Sequence, residues 1–201
     1  MNFNSISVVN NGYVFCKSRY YSCNDILRDN NFIFHKGINL LKGEIDSGNW
    51  AISYLISMYN FKTNDFVLFK ETEVLIDGCK ATLCDINKYS CYMDDSYPLF
   101  SSKKSVKFLV EQGLKKHKLN YTADEIRDLF CIDEERFTRP ISAVGNEFFK
   151  AMAAIGYSNL KQIYCFPWMS KMRFNGFHAH LTYLLEILKK LDLTVVIPVG
   201  E

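Results

Sequence analysis

The chain has 201 residues, of which 48% are hydrophobic and 23% charged, and its formal net charge is +2. That length is enough for one domain with a full core, and the small net charge by itself gives no indication of nucleic-acid binding. No apolar run approaches the ~20 residues of a transmembrane helix, and the polar opening residues 1–5 do not fit a secretory signal peptide. We therefore expect one cytoplasmic domain covering residues 1–201, without direct membrane insertion.

A strand, a glycine-containing loop and a helix are predicted in succession between residues 32 and 58. Residues 32–43 alternate and then become continuously apolar, which predicts a strand, and residues 51–58 predict the start of a buried helix. Between them, Gly43 and Gly48 have the spacing of the phosphate-binding motif G-x-x-x-x-G-K-[ST]. A plain tight turn is the alternative, because two glycines alone are weak support. The strand and helix around them favour a phosphate loop.

The reactive part of this motif is missing. In the motif, backbone N–H groups cradle the phosphates, a lysine reaches the terminal ones and a hydroxyl holds Mg²⁺. Here Asn49 and Trp50 replace the lysine and the hydroxyl residue, while Glu44 and Asp46 add negative charge. Since each lost charge-assisted contact is worth roughly 1.5–3 kcal/mol, ATP binding should be weaker by about two to four decades. The sequence is still compatible with weak binding of ATP, and no other cofactor is predicted.

Residues 29–48 resemble the opening of an ATP-binding cassette (ABC) ATPase domain. The resemblance implies an α/β, P-loop NTPase-like fold with an antiparallel N-terminal edge, a mainly parallel core sheet and a short helical insertion at about residues 101–140. In that family an upstream aromatic residue stacks on adenine, and Tyr20 or Tyr21 lies near that position. The degenerate nucleotide site implied by the resemblance consists of Tyr21, Gly43, Ser47, Gly48, Asn49 and Trp50.

Two further stretches resemble this family before the helical insertion. Residues 74–78 are similar to a strand and turn that the family writes as ILIDG. Residues 92–100 resemble its Q-loop, in which a glutamine senses Mg²⁺ and water. Asp94 or Asp95 stands in place of that glutamine, so we expect a degenerate Q-loop.

The helical insertion is predicted from residues 103–137. A first helix has an apolar face that includes Val106 and Leu114, and its lysines indicate a solvated face rather than a nucleic-acid or anionic-lipid surface. A partner with an acidic surface remains an alternative. Residues 122–125 form a capping box that starts a second helix. By the resemblance, this region and residues 92–100 would contact a permease.

The last three landmarks also lack their reactive groups. Residues 139–147 stand where the LSGGQ signature belongs, with Ser142, Gly145 and Asn146 as its degenerate remnant; a Gly-Asn turn before a packed helix explains them equally well. Residues 161–170 resemble a Walker B strand, but Pro167 and Trp168 replace the acidic pair that holds Mg²⁺ and polarises water. Gly200 follows the predicted last strand, in the position of the family's switch histidine.

The cysteines and histidines give no indication of a metal site. Seven cysteines form an odd set without a C-x-x-C pair, which favours reduced thiols and a reducing compartment. His178 and His180 open a predicted helix and are interpreted as ordinary polar residues. A leucine stripe from Leu181 to Leu191 follows at helical spacing and should face the core.

Three hypotheses of different classes follow. The first is a non-hydrolytic ABC-type subunit that acts with an intact ABC ATPase or a membrane permease, reaching the membrane only through that partner. The second is an ATPase that completes a composite site with a partner. The third is a regulatory interaction module in which Trp50 and Trp168 fill the former pocket. No catalytic residue is predicted, so the first is favoured.

Overall fold

The computed structural model describes residues 3–61, 64–176 and 178–201, and in this part of the chain two β-sheets sandwich a central helix. The strands of the first sheet are β1 (Ser5–Lys17), β2 (Ser22–His35), β4 (Phe66–Leu68), β5 (Glu73–Ile76) and β6 (Cys79–Ala81). They run antiparallel in the order β2-β1-β5-β6, with β4 also paired to β1. Along β1, every second side chain from Ile6 to Cys16 is buried, which fixes the face that the sheet turns to the core.

The second sheet is parallel and contains the strands that lead into the predicted motifs. Its order is β3-β9-β8-β7, formed by β3 (Gly37–Lys42), β7 (Ser90–Tyr92), β8 (Ile163–Cys165) and β9 (Thr194–Val199). Strands β7, β8 and β9 are buried along their whole length, as expected for parallel strands covered on both faces. The loops after β3, β7 and β8 therefore leave the same edge of the sheet.

Helix α1 (Asn49–Met58) connects the two sheets. All its residues from Trp50 to Met58 are buried, and it packs against β1 and β2 on one side and β7, β8 and β9 on the other. A helix that is apolar all round is stable only inside a core. Helix α2 (Leu83–Tyr89) follows β6 and packs beside α1.

The remaining helices form the predicted insertion and the cover of the parallel sheet. The insertion contains α3 (Val106–His117), α4 (Ala123–Leu129) and α5 (Glu134–Phe137), and α6 (Phe148–Ser158) packs against α3 and α4. The capping box predicted at Thr122 is present, with reciprocal bonds to Glu125. Helices α7 (Lys171–Gly176) and α8 (His178–Lys190) follow β8, and the leucines of α8 from Leu181 to Leu188 face the core.

The predicted fold class is confirmed: an antiparallel N-terminal sheet stands beside a parallel core sheet, with helices inserted between its strands. One predicted strand differs, because residues 32–43 divide between β2 and β3, which belong to different sheets. The division falls at Gly37, whose φ of +87° lets the chain turn from one sheet to the other.

No helix within residues 3–61, 64–176 and 178–201 combines the length and apolar character that spanning a bilayer requires.

Candidate functional site

The glycine loop lies between β3 and α1, as predicted, and both its ends are fixed by backbone bonds. The N–H of Gly43 donates to the carbonyl oxygen of Val199 at 2.9 Å, and the N–H of Ile52 donates to that of Gly48 at 3.1 Å. Gly48 has a φ of +86°, and a β-carbon there would lie 2.6 Å from the carbonyl oxygen of Ile26. Glycine is therefore required at this position both for its conformation and for the close approach of β2.

A carboxylate that the sequence analysis missed meets the start of α1. Oδ1 of Asp25, on β2, accepts a hydrogen bond from the N–H of Gly48 at 2.9 Å, and Oδ2 accepts one from Ala51 at 2.8 Å. Asp25 is fully buried. Burial raises the pKa of its carboxyl, and the backbone N–H groups of Ala51 and Gly48 oppose that increase. Helix starts favour negative charge, so the carboxylate is placed where a helix binds an anion.

The side chains of the loop turn back on the loop itself. Nδ2 of Asn49 donates to the carbonyl oxygen of Lys42 at 2.9 Å, so the amide that replaces the motif lysine bonds to β3. Oγ of Ser47 is buried and has no hydrogen-bond partner among the described residues. A β-carbon on Gly43 would lie 2.7 Å from both Nδ2 of Asn49 and Oγ of Ser47. These two side chains therefore close over Gly43.

Trp50 follows the loop but belongs to the core. Its side chain is fully buried, and its indole N–H donates to the hydroxyl oxygen of Tyr92 at 2.8 Å. The ring of Tyr54 packs edge-on against Tyr92 with centroids 5.0 Å apart. Burial raises the pKa of the Tyr92 hydroxyl well above its usual value, so that group stays neutral and accepts this bond. Trp50 thus links α1 to the start of residues 92–100, the predicted Q-loop.

Trp168 brings several predicted positions together. Its indole N–H donates to the carbonyl oxygen of Gly43 at 3.0 Å, and its ring meets that of Tyr21 edge-on with centroids 5.8 Å apart. A β-carbon on Gly200 would lie 2.9 Å from Cζ2 of Trp168. Pro167, directly before it, is also buried. The residues that the sequence analysis predicts at the Walker B, switch-histidine, adenine-stacking and loop positions therefore meet around one indole.

A cation lies against the two tyrosines that are predicted as candidates for stacking on adenine. The guanidinium carbon of Arg173, on α7, lies 3.2 Å from the ring centroid of Tyr20 and 5.7 Å from that of Tyr21. Guanidinium groups stack favourably on aromatic faces. Tyr20 is about half exposed, and the guanidinium of Arg173 covers a face of its ring.

The segment predicted to be a degenerate Q-loop, residues 92–100, is tied to the turn between β1 and β2. Asp94 is buried, and its carboxylate accepts from the N–H of Arg19 at 2.9 Å and from that of Ser96 at 3.1 Å. Burial raises the pKa of the Asp94 carboxyl, these backbone N–H groups oppose the increase, and nearby Asp95 adds to it. Asp95 lies 4.0 Å from the guanidinium of Arg19. Both aspartates therefore hold the N-terminal turn.

The residues predicted as a remnant of the signature form a separate cluster before α6. Gly145 has a φ of +64°, as a Gly-Asn turn requires, and Ser142 is exposed. The amide oxygen of Asn146 accepts from Arg136, and its Nδ2 lies 3.3 Å from Nε2 of His180. Arg136 also donates to the carbonyl oxygen of Val144 at 3.1 Å. These polar contacts organise the turn at the start of α6.

Comparison with known proteins identifies the fold. No protein-family model matches the sequence, and no curated protein matches it significantly. A solved structure, a putative ABC transporter ATP-binding protein from Pyrococcus furiosus, superposes with a TM-score of 0.62 and 14% identity, over 98% of this chain and 92% of that one. An ATP-bound bacterial Atm1-family ABC exporter gives a TM-score of 0.59 at 14% identity. That match covers 100% of this chain and 35% of the exporter chain, about a third of its length.

The structure therefore brings some of the predicted site residues together and separates others. Trp168 is in direct contact with both Tyr21 and Gly43, whereas the side chain of Trp50 turns into the core. Sequence reasoning missed Asp25, Tyr92 and Arg173. The one available signal was the period of β2, which places Asp25 on the same inward face as Leu27. The arrangement as a whole, with the superposed structures, is the fold of an ABC transporter ATP-binding domain.

Proposed function

We propose that this chain is a non-hydrolytic subunit of the ABC type, which acts beside an intact ABC ATPase subunit or a membrane permease in a transport complex. The fold supports the type of subunit, since it is that of ABC ATP-binding domains. The observation that carries the non-hydrolytic assignment is the position of Trp168. Its indole bonds to Gly43 and fills the space beside Gly200, where hydrolysis would need groups that hold Mg²⁺ and orient water.

The phosphate side of the site supports the same proposal. Asn49 bonds to the carbonyl oxygen of Lys42, and it carries no charge to offer a terminal phosphate. The N–H groups of Gly48 and Ala51 already donate to Asp25. A nucleotide would have to displace the buried carboxylate of Asp25, and no lysine would be present to bind its phosphates. We therefore propose that the resting protein does not bind ATP.

The proposed partner surface is the helical insertion with the degenerate Q-loop. We propose that residues 101–140 form a subdomain inserted into a single domain covering residues 1–201. Residues 92–100 would join it in contacting a permease. The bacterial exporter that shares this fold is itself a transporter, which supports a role in transport or export. A cytoplasmic location, with attachment to the membrane through the partner, follows from this proposal.

Calorimetry with ATP tests the nucleotide half of the proposal. Purified protein should show no binding of ATP with a sub-millimolar dissociation constant, with or without Mg²⁺, because the lysine and metal contacts are missing. A micromolar, Mg²⁺-dependent affinity would contradict the proposal. In a parallel hydrolysis assay, turnover that disappears in Asn49→Ala would favour a composite ATPase, whereas turnover unchanged by that substitution would indicate a contaminating enzyme.

Affinity purification from the native cell tests the partner half. The tagged protein should retain an ABC ATPase with intact phosphate-loop and Walker B residues, or a permease with membrane-spanning helices, through washes at moderate salt. A matched bait with charge reversals at Lys103, Lys104 and Lys107 on the insertion should lose that partner while keeping its own melting temperature. Recovery of the protein as a monomer from its own cell would favour the interaction-module alternative.

A further inference from the structure

The outer face of the antiparallel sheet, which is turned away from the core, carries exposed apolar side chains. Sheets of this kind commonly bury one face and expose a polar one. Phe69 directly follows β4, and its N–H donates to the carbonyl oxygen of Asn11 on β1 at 2.9 Å. Five apolar side chains of the outer face are 40–65% exposed: Ile26, Ile33, Val67, Phe69 and Leu75. Exposed apolar surface of several hundred Å² indicates an interaction site.

Strand register places most of these side chains in two rows across the sheet. In the first row, Ser7 of β1 lies opposite Ile33 of β2 on one side and Leu75 of β5 on the other. Directly paired residues of an antiparallel sheet share a face, so Ser7 is the middle of a row of three. Ser7 alternates with the buried Ile6 and Val8, which puts this row on the outer face.

The second row crosses the same face farther along β1. Tyr13 lies opposite Ile26 of β2 on one side and Val67 of β4 on the other. Since Tyr13 comes six residues after Ser7, the two rows are about 20 Å apart along the strand. Both rows have apolar side chains at their two ends, and they differ in the middle.

The difference in the middle makes the two rows complementary in shape. The first row has the small side chain of Ser7 between two large ones, whereas the second row has the large ring of Tyr13 there. A twofold axis that crosses the strands midway between the rows sets the first row of one copy on the second row of another. The ring of Tyr13 in each copy then fills the space left by Ser7 in the other. An isologous interface requires this, because one patch meets itself.

The exposed area is sufficient for a dimer. Half-exposed side chains of this size offer about 100 Å² each, so five on each of two copies remove roughly 1,000 Å² from water. The half-buried side chains of Val9, Tyr13 and Phe15 alternate with the buried residues of β1 and add to this area. Specific interfaces begin near this size, and two sheets can pack face to face with their strands nearly aligned.

Charged residues border the two rows and do not belong to them. Lys80 of β6 lies opposite Leu75, beyond the end of the first row. Arg28 comes two residues after Ile26 in β2 and is exposed. An apolar centre with a polar margin is the usual arrangement of a protein–protein interface.

We infer that the outer face of the antiparallel sheet is a homodimer interface, in which the first row of one copy packs on the second row of its partner. Ile33 of each copy meets Ile26 of the other, and Leu75 meets Val67. The occupant is a second copy of this chain, because the two rows complement each other and the area is sufficient. The interface shares no residue with the glycine loop or with residues 92–140, so it goes beyond the proposed function.

Sedimentation velocity of the purified protein tests the interface. The unmodified chain should be a dimer at about 100 µM, because interfaces of this size reach micromolar affinity. Ile33→Glu and Ile26→Lys each place a charge twice in the apolar centre and should weaken the dimer at least about 30-fold. Phe108→Glu is the matched control, since Phe108 is as exposed as Ile26 but lies on α3, and it should leave the dimer unchanged.

A mixture of the two variants tests how the rows pair. In a mixed dimer, Ile33→Glu of one copy faces Ile26→Lys of the other, and the second contact of this kind keeps both isoleucines. The mixture should therefore form a heterodimer at a concentration at which neither variant dimerises alone. Positions 26 and 33 lie about 20 Å apart along β2, so the rescue cannot arise within one chain.

Each outcome decides for or against the interface. A monomer at all concentrations overturns the inference and leaves the face to a different partner. A dimer that persists in both single variants uses another surface and overturns it too, as does a mixture that stays monomeric. If circular dichroism shows that the charged variants do not fold, Ile33→Thr and Val67→Thr keep β-branched side chains and should weaken the dimer about tenfold. An unweakened dimer in both also overturns the inference.

Discussion

A β-carbon on Gly200 would lie 2.9 Å from Cζ2 of Trp168, so the glycine and the indole share one space. Trp168 is 8% exposed, and its N–H is bonded to Gly43. The indole is thus fixed from two sides, by a hydrogen bond to the loop and by contact with the end of β9. The ring therefore occupies the space beside Gly200, the residue that the sequence analysis predicts at the family's switch-histidine position.

Gly200→Ala should destabilise the protein by about 1–3 kcal/mol, the usual cost of overpacking, because the new methyl group forces Trp168 to move. Urea unfolding measures this change. In Trp168→Phe the smaller ring should leave space, so the alanine should cost less there and the double-mutant cycle should give a clear coupling energy. Gly176→Ala is the control: apart from its chain neighbours and its own helix backbone, no atom of the described residues lies within 4 Å of its β-carbon position, so the substitution should not destabilise the protein. Additive effects in the cycle would contradict the shared space.

Tyr92→Phe should cost about 1–3 kcal/mol, since it leaves the buried indole N–H of Trp50 without its acceptor. The free energy of unfolding can be compared with that of Tyr20→Phe, in which the hydroxyl is removed from a ring that is 54% exposed. That control should change stability by less than about 0.5 kcal/mol. Equal effects of the two substitutions would show that the Trp50 bond contributes little.

Trp50→Ala should be among the most destabilising single changes, by about 3–5 kcal/mol, because it leaves a large cavity in a fully buried place. Thermal melting of Trp50→Ala and Trp168→Ala tests the idea that both indoles are structural. An unchanged melting temperature in either variant would show that its tryptophan does not contribute to the stability of the fold.

Asp94 should make the protein's stability depend on pH. Burial raises the pKa of its carboxyl, so between the unfolded value near 3.8 and the raised folded value the native state binds more protons than the unfolded state. Stability from this group is therefore greatest below about pH 4 and is lost as pH rises through the folded pKa. In Asp94→Asn the single amide oxygen can keep only one of the two bonds, from Arg19 or from Ser96, so the variant should be less stable overall, but this pH-dependent loss should disappear. Urea midpoints from pH 4 to 7 measure the difference; parallel profiles of the two proteins would contradict it.

Thr122→Ala should destabilise the helical insertion by about 1 kcal/mol, because Oγ1 of Thr122 accepts from the N–H of Glu125 at 3.2 Å. Thr122→Ser keeps the hydroxyl and should remain close to the unmodified protein in urea unfolding. Similar losses in both variants would show that the methyl group, not the cap, is what matters.

The parts of the fold that were predictable from sequence depend on local patterns. The buried run of α1, the capping box at Thr122 and the apolar run of β9 each carry their signal within about ten residues. Their periodicity and end residues are set by the geometry of one element. For that reason α1, α4 and β9, and the loop between β3 and α1, were predicted.

The contacts within the site were less predictable from the sequence, because they depend on which helices and strands pack together. Asp25 meets Gly48 across 23 residues, and Trp168 meets Gly43 across 125. A polar residue in a strand gives no local sign of the helix end it will cap. The side-chain direction of Trp50 was also beyond reach, since its place in the loop is compatible with both the site and the core.

The hairpin of β1 and β2 carries, on one continuous piece of chain, both a contact to α6 and the group that meets α1. At its turn, Arg19 bonds to Asp94 and lies 5.7 Å from the ring centroid of Phe148, the first residue of α6. Asp25 follows six residues later, as the fourth residue of β2. A stretch of seven residues therefore joins the start of α6 to the carboxylate that meets the glycine loop.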